Sequence, residues 1–404
     1  MEKGGGNNRE SDSYRKMRDI KKCLRSEQRK LEAQKRNNRI TEIMELSENN
    51  DKKFYSLVNH QRQQNSLITS KLKYNNKVAE CDEAIVETWA EYFEDLATPV
   101  NQPSFDEKYK TQVEEDNKTL HVYYNSNKEP LTEVNENEVL KYIFSFKNGK
   151  APDDSTVTSE HLKYGGHKLI TVLTMLINFI FQNKHIPPIL KCGIACPIYR
   201  KGGKPADNPN SYRKITVTNP IGKLIEKLHL CRNTQNICKT QSALQKGFTR
   251  GESPTIAALI VTELFTEAIE NNKSIFIALT DAQKAFDIVW HDGLFREIFK
   301  ANITGNNWLL FKEWYNNMQT KIKWQGQHSR TLHERQGVRQ GGVWSPAAYK
   351  LFINSLLTTY ETEKLGARIG SIFCGVPTVA DDVTLVLFDP FELQTAGHSN
   401  VTCE

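Results

Sequence analysis

Three acids and a cluster of bases are the residues whose types and setting could do chemistry. Asp281 ends an apolar run, Ser274-Ile-Phe-Ile-Ala-Leu-Thr280, and Asp381-Asp382 sits between two further apolar runs, Val376 to Ala380 and Val383 to Phe388. An Asp pair in a turn is by itself ordinary turn chemistry, because such side chains bond the local backbone. Beside Asp281 the pair carries more weight: three carboxylates delivered by one sheet repel each other unless cations lie between them. Hard divalent ions such as Mg²⁺ take oxygen ligands of this kind. Two of them ~4 Å apart would activate an attacking hydroxyl and stabilise a leaving phosphate oxygen. Upstream, Arg200, Lys201, Lys204, Arg213 and Lys214 collect on and after a predicted strand and could neutralise a polyphosphate. Lys201 and Arg213 are the leading candidates among them.

Other chemistries lack their signatures. Gly202-Gly203-Lys204 misses the spacing of a phosphate-binding P-loop. No nucleophile elbow, zinc-protease or kinase motif is present. The eight cysteines form no C-x-x-C pair, and Cys192 with Cys196 lacks the further ligands that tetrahedral zinc requires, so free thiols in a reducing compartment are expected. The first residues carry no apolar signal core, and the apolar stretch from Leu169 to Phe181 is interrupted by Thr171, Thr174 and Asn178, short of the ~20 residues that cross a bilayer. The expectation is an intracellular protein of cytoplasm or nucleus, neither secreted nor bound to a membrane.

The elements that must position the acids follow from pattern. At 404 residues, with 54 Lys+Arg against 48 Asp+Glu, the chain is long enough for two or three lobes around a cleft. The basic excess is local: Arg15 to Arg39 holds eleven Lys/Arg and three Asp/Glu without Pro or Gly, which predicts a basic helix, either a solvated tail or a contact for phosphate backbones. Phe54 to Gln61 and Ile85 to Leu96 read as amphipathic pieces, with Trp89, Tyr92 and Phe93 as core. Residues 1–100 are thus expected to be basic and mainly helical, and the aperiodic residues 101–130 to be a linker. Thr132 to Asn135 resembles a capping box opening a helix through Phe146. Ser155 to Tyr164 and Lys168 to Asn183 read as helices, Ile194 to Tyr199 and Ile215 to Val217 as strands, and Gly341 to Tyr360 as a helix after a Gly-rich turn.

Six blocks in fixed order now identify a family. They are Lys147-Asn-Gly-Lys-Ala-Pro-Asp-Asp154, Ile198-Tyr-Arg-Lys-Gly-Gly-Lys204 with Asn210-Ser-Tyr-Arg-Lys-Ile-Thr216, Gln245-Lys-Gly-Phe-Thr-Arg-Gly-Glu-Ser253, Ala278-Leu-Thr-Asp-Ala-Gln-Lys-Ala-Phe-Asp287, Gln336-Gly-Val-Arg-Gln-Gly-Gly-Val-Trp-Ser-Pro346 and Val379-Ala-Asp-Asp382. Together, from about Lys147 to Leu387, they resemble the reverse transcriptase domain of non-LTR (LINE-type) retrotransposons.

The resemblance implies an α+β right-hand polymerase, with fingers over 131–270, a palm over 271–390 and a frayed tail at 391–404. It implies that Asp281, Asp381 and Asp382 are catalytic and hold two Mg²⁺, with Mn²⁺ able to serve. Phe286 would lie against the incoming sugar and favour deoxynucleotides. Gln340 and Gly341 would support the nucleotide and template, and Lys201 and Arg213 its phosphates. The partners implied are an RNA template, a DNA primer and a dNTP. Asp153, Asp154, Lys214, Trp344 and Val379 depart from the family pattern. With twenty-two residues after Asp382, a thumb is expected to be absent, and the chain to be an incomplete copy that binds nucleic acid but polymerises weakly or not at all. The rivals are a non-catalytic RNA-binding remnant and an RNA-dependent RNA polymerase. Ala380 and Phe286 stand against the latter.

Overall fold

The computed structural model describes residues 12–49, 69–100, 105–126, 131–200 and 203–392. Lys201, the Phe54 to Gln61 piece, Cys403 and the tail beyond 392 lie outside the described residues. Contacts divide the chain into two units, 1–68 and 69–404. In the first, the basic run forms helix α1 (Asp12–Asn49), and every described side chain from residue 15 to 38 is exposed. No described helix is long and apolar enough to cross a membrane.

The second unit opens with a hairpin, β1 (Leu72–Tyr74) and β2 (Lys77–Ala79), whose turn residues Asn75 and Asn76 both take positive φ, the backbone that a two-residue hairpin turn demands and asparagine tolerates. Helix α2 (Asp82–Leu96) follows and buries Ile85, Val86, Trp89, Tyr92 and Phe93. These aromatics are core, as expected: Trp89 stacks on Phe93 at 5.5 Å and meets Tyr212 edge-on at 4.8 Å. Through them α2 belongs with a sheet far along the chain, and a boundary at residue 100 is overturned.

The expected linker at 101–130 is also corrected. Residues Glu107–Ser126 form a 20-residue helix, α3, which packs on two later helices. Its inward stripe is sparse: Val113 and Asn117 are buried, Tyr109, Leu120 and Tyr124 half-buried on the same face at helical spacing, and Asn117 donates to both the backbone and the carboxylate of Asp292. Helix α4 (Glu136–Phe144) is capped by Asn135, whose Oδ1 accepts from Glu138 N at 2.9 Å. The cap is therefore Asn135, not Thr132, because Asn is the residue with extended backbone next to the first free N–H groups.

Helices α5 (Ser159–Tyr164), α6 (His167–Asn183) and the single turn α7 (Pro188–Lys191) lead to strands β3 (Cys192–Tyr199) and β4 (Tyr212–Thr218). Cys192 and Cys196 thus lie on a strand, and burial pushes both thiols up, which suits inert free cysteines. Helices α8 (Pro220–Thr240) and α9 (Pro254–Glu270), strand β5 (Phe276–Asp281), helices α10 (His291–Lys300) and α11 (Gly305–Tyr315), and strands β6 (Met318–Trp324) and β7 (Gln327–Glu334) come next. Then α12 (Ser345–Thr362) and the short strands β8 (Arg368–Ile369), β9 (Ile372–Phe373) and β10 (Thr378–Val379) precede β11 (Asp382–Leu387).

Two larger sheets organise these elements. One runs β4-β3-β6-β7, with β3 and β6 parallel, and the other runs β10-β11-β5, wholly antiparallel. The first sheet draws on residues on both sides of β5 in sequence. A lobe cut at residue 270 would split it, so the contiguous division 131–270 and 271–390 does not describe the architecture. The fold is α+β, with one large apolar core running from Leu131 to Leu387 and a second under α2.

Alternation along β4 sends Arg213 to solvent and Lys214 inward. Lys214 Nζ lies 2.9 Å from Glu334 Oε1 and 3.8 Å from Asp287 Oδ1, and Arg339 Nε donates to Glu334 Oε2 at 2.8 Å. Burial alone would raise the Glu334 carboxyl, but the two cations beside it outweigh burial and hold it well below the ordinary range. Removing Glu334 would leave two buried cations facing each other. Glu334→Ala should therefore cost about 3–5 kcal/mol in urea unfolding. Lys321→Ala, which breaks the more exposed Lys321–Asp154 pair at 3.0 Å, should cost within about 1 kcal/mol.

Candidate active site

Two strands deliver the acids. In the antiparallel pairing of β11 with β5, Asp382 stands directly opposite Asp281, so both side chains leave the same face of the sheet. Val383, Leu385 and Leu387 point the other way, into the main core. The alternation that buries one face forces the carboxylates onto the other. Asp381 lies in the two-residue turn between β10 and β11, which Val379 and Asp382 close and in which Ala380 takes φ 59°.

The acids sense one another. Partial burial first, and then the negative charges of Asp381 and Asp281, push the Asp382 carboxyl above its ordinary value. Among the described residues, no group of three His, Cys, Asp or Glu side chains is gathered closely enough to hold a metal ion as it stands. The donor chemistry nevertheless fits a hard divalent cation: carboxylate oxygens on one face, repelling each other, with sulfur and imidazole absent from the set.

Phe286 follows in the turn after β5. It is half-buried, stacks on Tyr349 of α12 at 4.6 Å and 15°, and takes the edge of Phe248 at 5.8 Å. Its carbonyl accepts from Val338 N, which ties this turn to the segment carrying Gln340 and Gly341. That segment is pinned to β4: Gln340 O accepts from Thr216 N at 2.8 Å. Gly341 has φ 130°, and a Cβ there would sit 2.2 Å from Thr216 O, so this close approach requires glycine. The structure thus brings Gln340 and Gly341 onto the strand that bears Arg213. Arg213 is exposed, with Ile198 as its cross-strand partner.

Sequence reasoning missed Glu226, a lone acid among Leu224, Ile225 and Leu228 on α8. Its Oε2 accepts from Val343 N at 2.6 Å and so holds the far end of the same turn. The available signal was a carboxylate inside an apolar helix face. Trp344 fills the space beside it, edge-on to Phe311 at 4.9 Å and tilted against His229 at 5.3 Å.

With this geometry in place, the comparisons bear on it directly. Residues 199–398 match the family described as reverse transcriptase (RNA-dependent DNA polymerase). The chain is 28% identical over 264 residues to the probable RNA-directed DNA polymerase from transposon BS of Drosophila melanogaster, covering 64% of this chain and 28% of that protein. It is 26% identical over 233 residues to the RNA-directed DNA polymerase from mobile element jockey of the same species, covering 57% and 25%. A Pol polyprotein from a type-1 retrotransposable element R2 of Popillia japonica is 25% identical over 182 residues, covering 45% and 25%. The matched stretches make up about a quarter of the length of these relatives. Residues 199–398 form a reverse transcriptase domain. Its kind is that of the non-LTR, LINE-type retrotransposons, and neither rival reading is favoured by these relatives.

Burial raises the Glu226 carboxyl from 4.5 to about 7. Its folded value lies above its unfolded one, so its contribution to stability is complete below about pH 4.5 and is lost as pH rises through about 7. Urea titrations between pH 5 and 8 should show wild type losing about 3 kcal/mol relative to Glu226→Gln.

Proposed function

We propose that this chain extends a DNA primer along an RNA template, adding deoxynucleotides at the head of the β5–β11 pair. In this reading the β10-β11-β5 sheet is the palm, and the β4-β3-β6-β7 sheet with α2 forms the fingers. The observation that carries it is the cross-strand pairing of Asp281 with Asp382, with Asp381 one residue away in the turn.

Mg²⁺, or Mn²⁺ in its place, would be held by Asp281, Asp381 and Asp382 and would supply Lewis-acid polarisation of the attacking hydroxyl and the leaving phosphate oxygen. The chain's own residues bind and orient. Arg213, and Lys201 some twelve residues before it in sequence, neutralise the triphosphate, and Arg is suited to this because its planar fork bonds two phosphate oxygens at once. The backbone at Gln340 and Gly341, fixed on β4, gives the nucleotide and template strand a rigid floor. The Phe286 ring, held by its stack on Tyr349, leaves no room for a 2′-hydroxyl. The basic helix α1 adds phosphate contacts without sequence preference.

Primer extension on an RNA template tests the reading. Asp281→Asn and Asp381→Asn should each lower extension by about 10²–10³-fold or more, while salt-dependent RNA binding persists. Extension that survives Asp381→Asn, or wild-type protein that binds but never extends, would reject it. In the same assay, Phe286→Ala should raise ribonucleotide use relative to deoxynucleotide by about 10-fold to 100-fold. Unchanged discrimination would reduce Phe286 to a packing residue.

A further inference from the structure

The turn that carries Asp381 is gripped by a segment the chemistry above leaves unused. Gln245 is buried, 1% exposed. Its Oε1 accepts from Ala380 N at 2.9 Å and from Gly247 N at 2.8 Å, and its Nε2 donates to Ala380 O at 3.1 Å. One amide side chain therefore satisfies both backbone groups of the residue that precedes the Asp pair. The surrounding backbone lies alongside β10: Lys246 N donates to Thr378 O at 2.7 Å, Thr378 N donates to Leu244 O at 3.0 Å, and Gln245 forms a parallel bridge with Thr378.

Two features show that this fit is specific to the turn. Ala380 holds φ 59°, a backbone region that favours glycine, so something must keep it there. Gly247 is close for want of a side chain: a Cβ would fall 2.1 Å from Ala380 N and 2.7 Å from Ala380 Cα. The gripping segment is itself anchored. Asn354 of α12 accepts from Ser242 N at 2.7 Å and donates to Thr240 O at 3.1 Å, and Thr249 Oγ1 donates to the carbonyls of Gln245 and Gly247. Next along, Phe248 lays its ring against Phe286.

We propose that Gln245 is a positioning residue for the catalytic carboxylates: its amide fixes the left-handed Ala380 turn and thereby aims Asp381 and Asp382 toward Asp281. This rests on the polymerase reading of those acids. Unpaired, the Ala380 turn could relax toward a backbone that alanine prefers, and neighbouring carboxylates that already repel one another would turn apart. An outer residue of this kind typically changes metal affinity by about 10-fold to 100-fold when removed.

Mn²⁺ binding to the full chain, read from the free-ion EPR signal, tests this without turnover. Wild type should bind, and Asp381→Asn should weaken binding at least about 10-fold. Gln245→Met, which keeps length and burial but removes both hydrogen-bonding groups, should weaken it about 10-fold. Adding Ala380→Gly should restore most of that loss, because glycine holds positive φ unaided. A residue needed only for general stability would not be rescued this way. In primer extension, Gln245→Met should lower kcat and raise the Mn²⁺ requirement with little change in the KM for dNTP. If Gln245→Met does not fold, Gln245→Glu keeps the oxygen facing Ala380 N and loses the Nε2 donor; it should show a smaller loss with the same rescue.

Wild-type affinity in the Gln245 variant, or a loss that Ala380→Gly does not repair, would overturn the proposal while leaving the polymerase reading intact. Mn²⁺ binding unaffected by Asp381→Asn would remove the metal site itself, and this proposal with it.

Discussion

Like charges must be held together at the head of a short sheet, and much of the second unit can be understood as the apparatus that does so. Asp281 and Asp382 face each other across one rung of an antiparallel ladder, and partial burial, followed by the negative charges of Asp381 and Asp281, raises the Asp382 carboxyl. A rung cannot be opened by one residue without moving every side chain of β11 to the opposite face, which would take Val383, Leu385 and Leu387 out of the core. Apolar burial on one face therefore sets the electrostatic geometry on the other. The strength of the constraint lies in its being shared among six paired positions from Asp281↔Asp382 to Phe276↔Leu387.

The same logic of burial governing charge recurs within the β4-β3-β6-β7 sheet. Lys214 stands where the family pattern favours a small or cyclic residue, and taken locally a lysine at a buried strand position is a fault. The structure answers it with Glu334, contributed by β7 some 120 residues later, and with Arg339 completing the network. Arg339 also donates to the Gln319 carbonyl on β6, so the network holds the strands and the Gln340–Gly341 turn in one arrangement. A buried ionic group of this sort adds little net stability but penalises every misaligned alternative, because a shifted strand would strand a charge.

How much of this could be read from sequence depends on the range of the interactions. The acids were legible because the signal is local: an apolar strand ending in Asp281, and an apolar hairpin with Asp381-Asp382 at its turn. The α2 aromatics were legible as core for the same reason. Helix α3 was not, since its stripe includes Asn117 and tyrosines and is defined by what it meets, Asp292 and Trp308 among them. The lobe boundaries failed more deeply. β3 pairs in parallel with β6, across more than a hundred residues that include β5, and no window of sequence contains that information. Gln245 was visible as part of a family block, but its partner, the backbone of Ala380, has no side-chain signature at all.

The departures from the family pattern can now be sorted by what the structure asks of each position. Trp344, in place of a smaller apolar residue, is 3% exposed and fills the gap between Phe311 and His229, leaving a cavity of only about 10 Å³ there. Burial pushes the neighbouring His229 down to about 4, so the ring stays neutral beside the indole and no charge is stranded by the larger side chain. Asp153, in place of glycine, accepts from Asn219 Nδ2 at 2.8 Å, and Asn219 in turn caps α8. Asp153 is absorbed by hydrogen bonding close at hand, whereas Trp344 is accommodated by packing alone, its buried indole N–H finding no hydrogen-bond partner among the described residues. The acids could not be absorbed in this way. Asp382→Asn would relieve the repulsion and lose nothing from the core, so the stability of the fold alone gives no reason to keep three mutually repelling carboxylates. Their presence in a sheet that would be more comfortable without them is the physical argument, independent of any relative, on which the proposed metal site at 281, 381 and 382 rests.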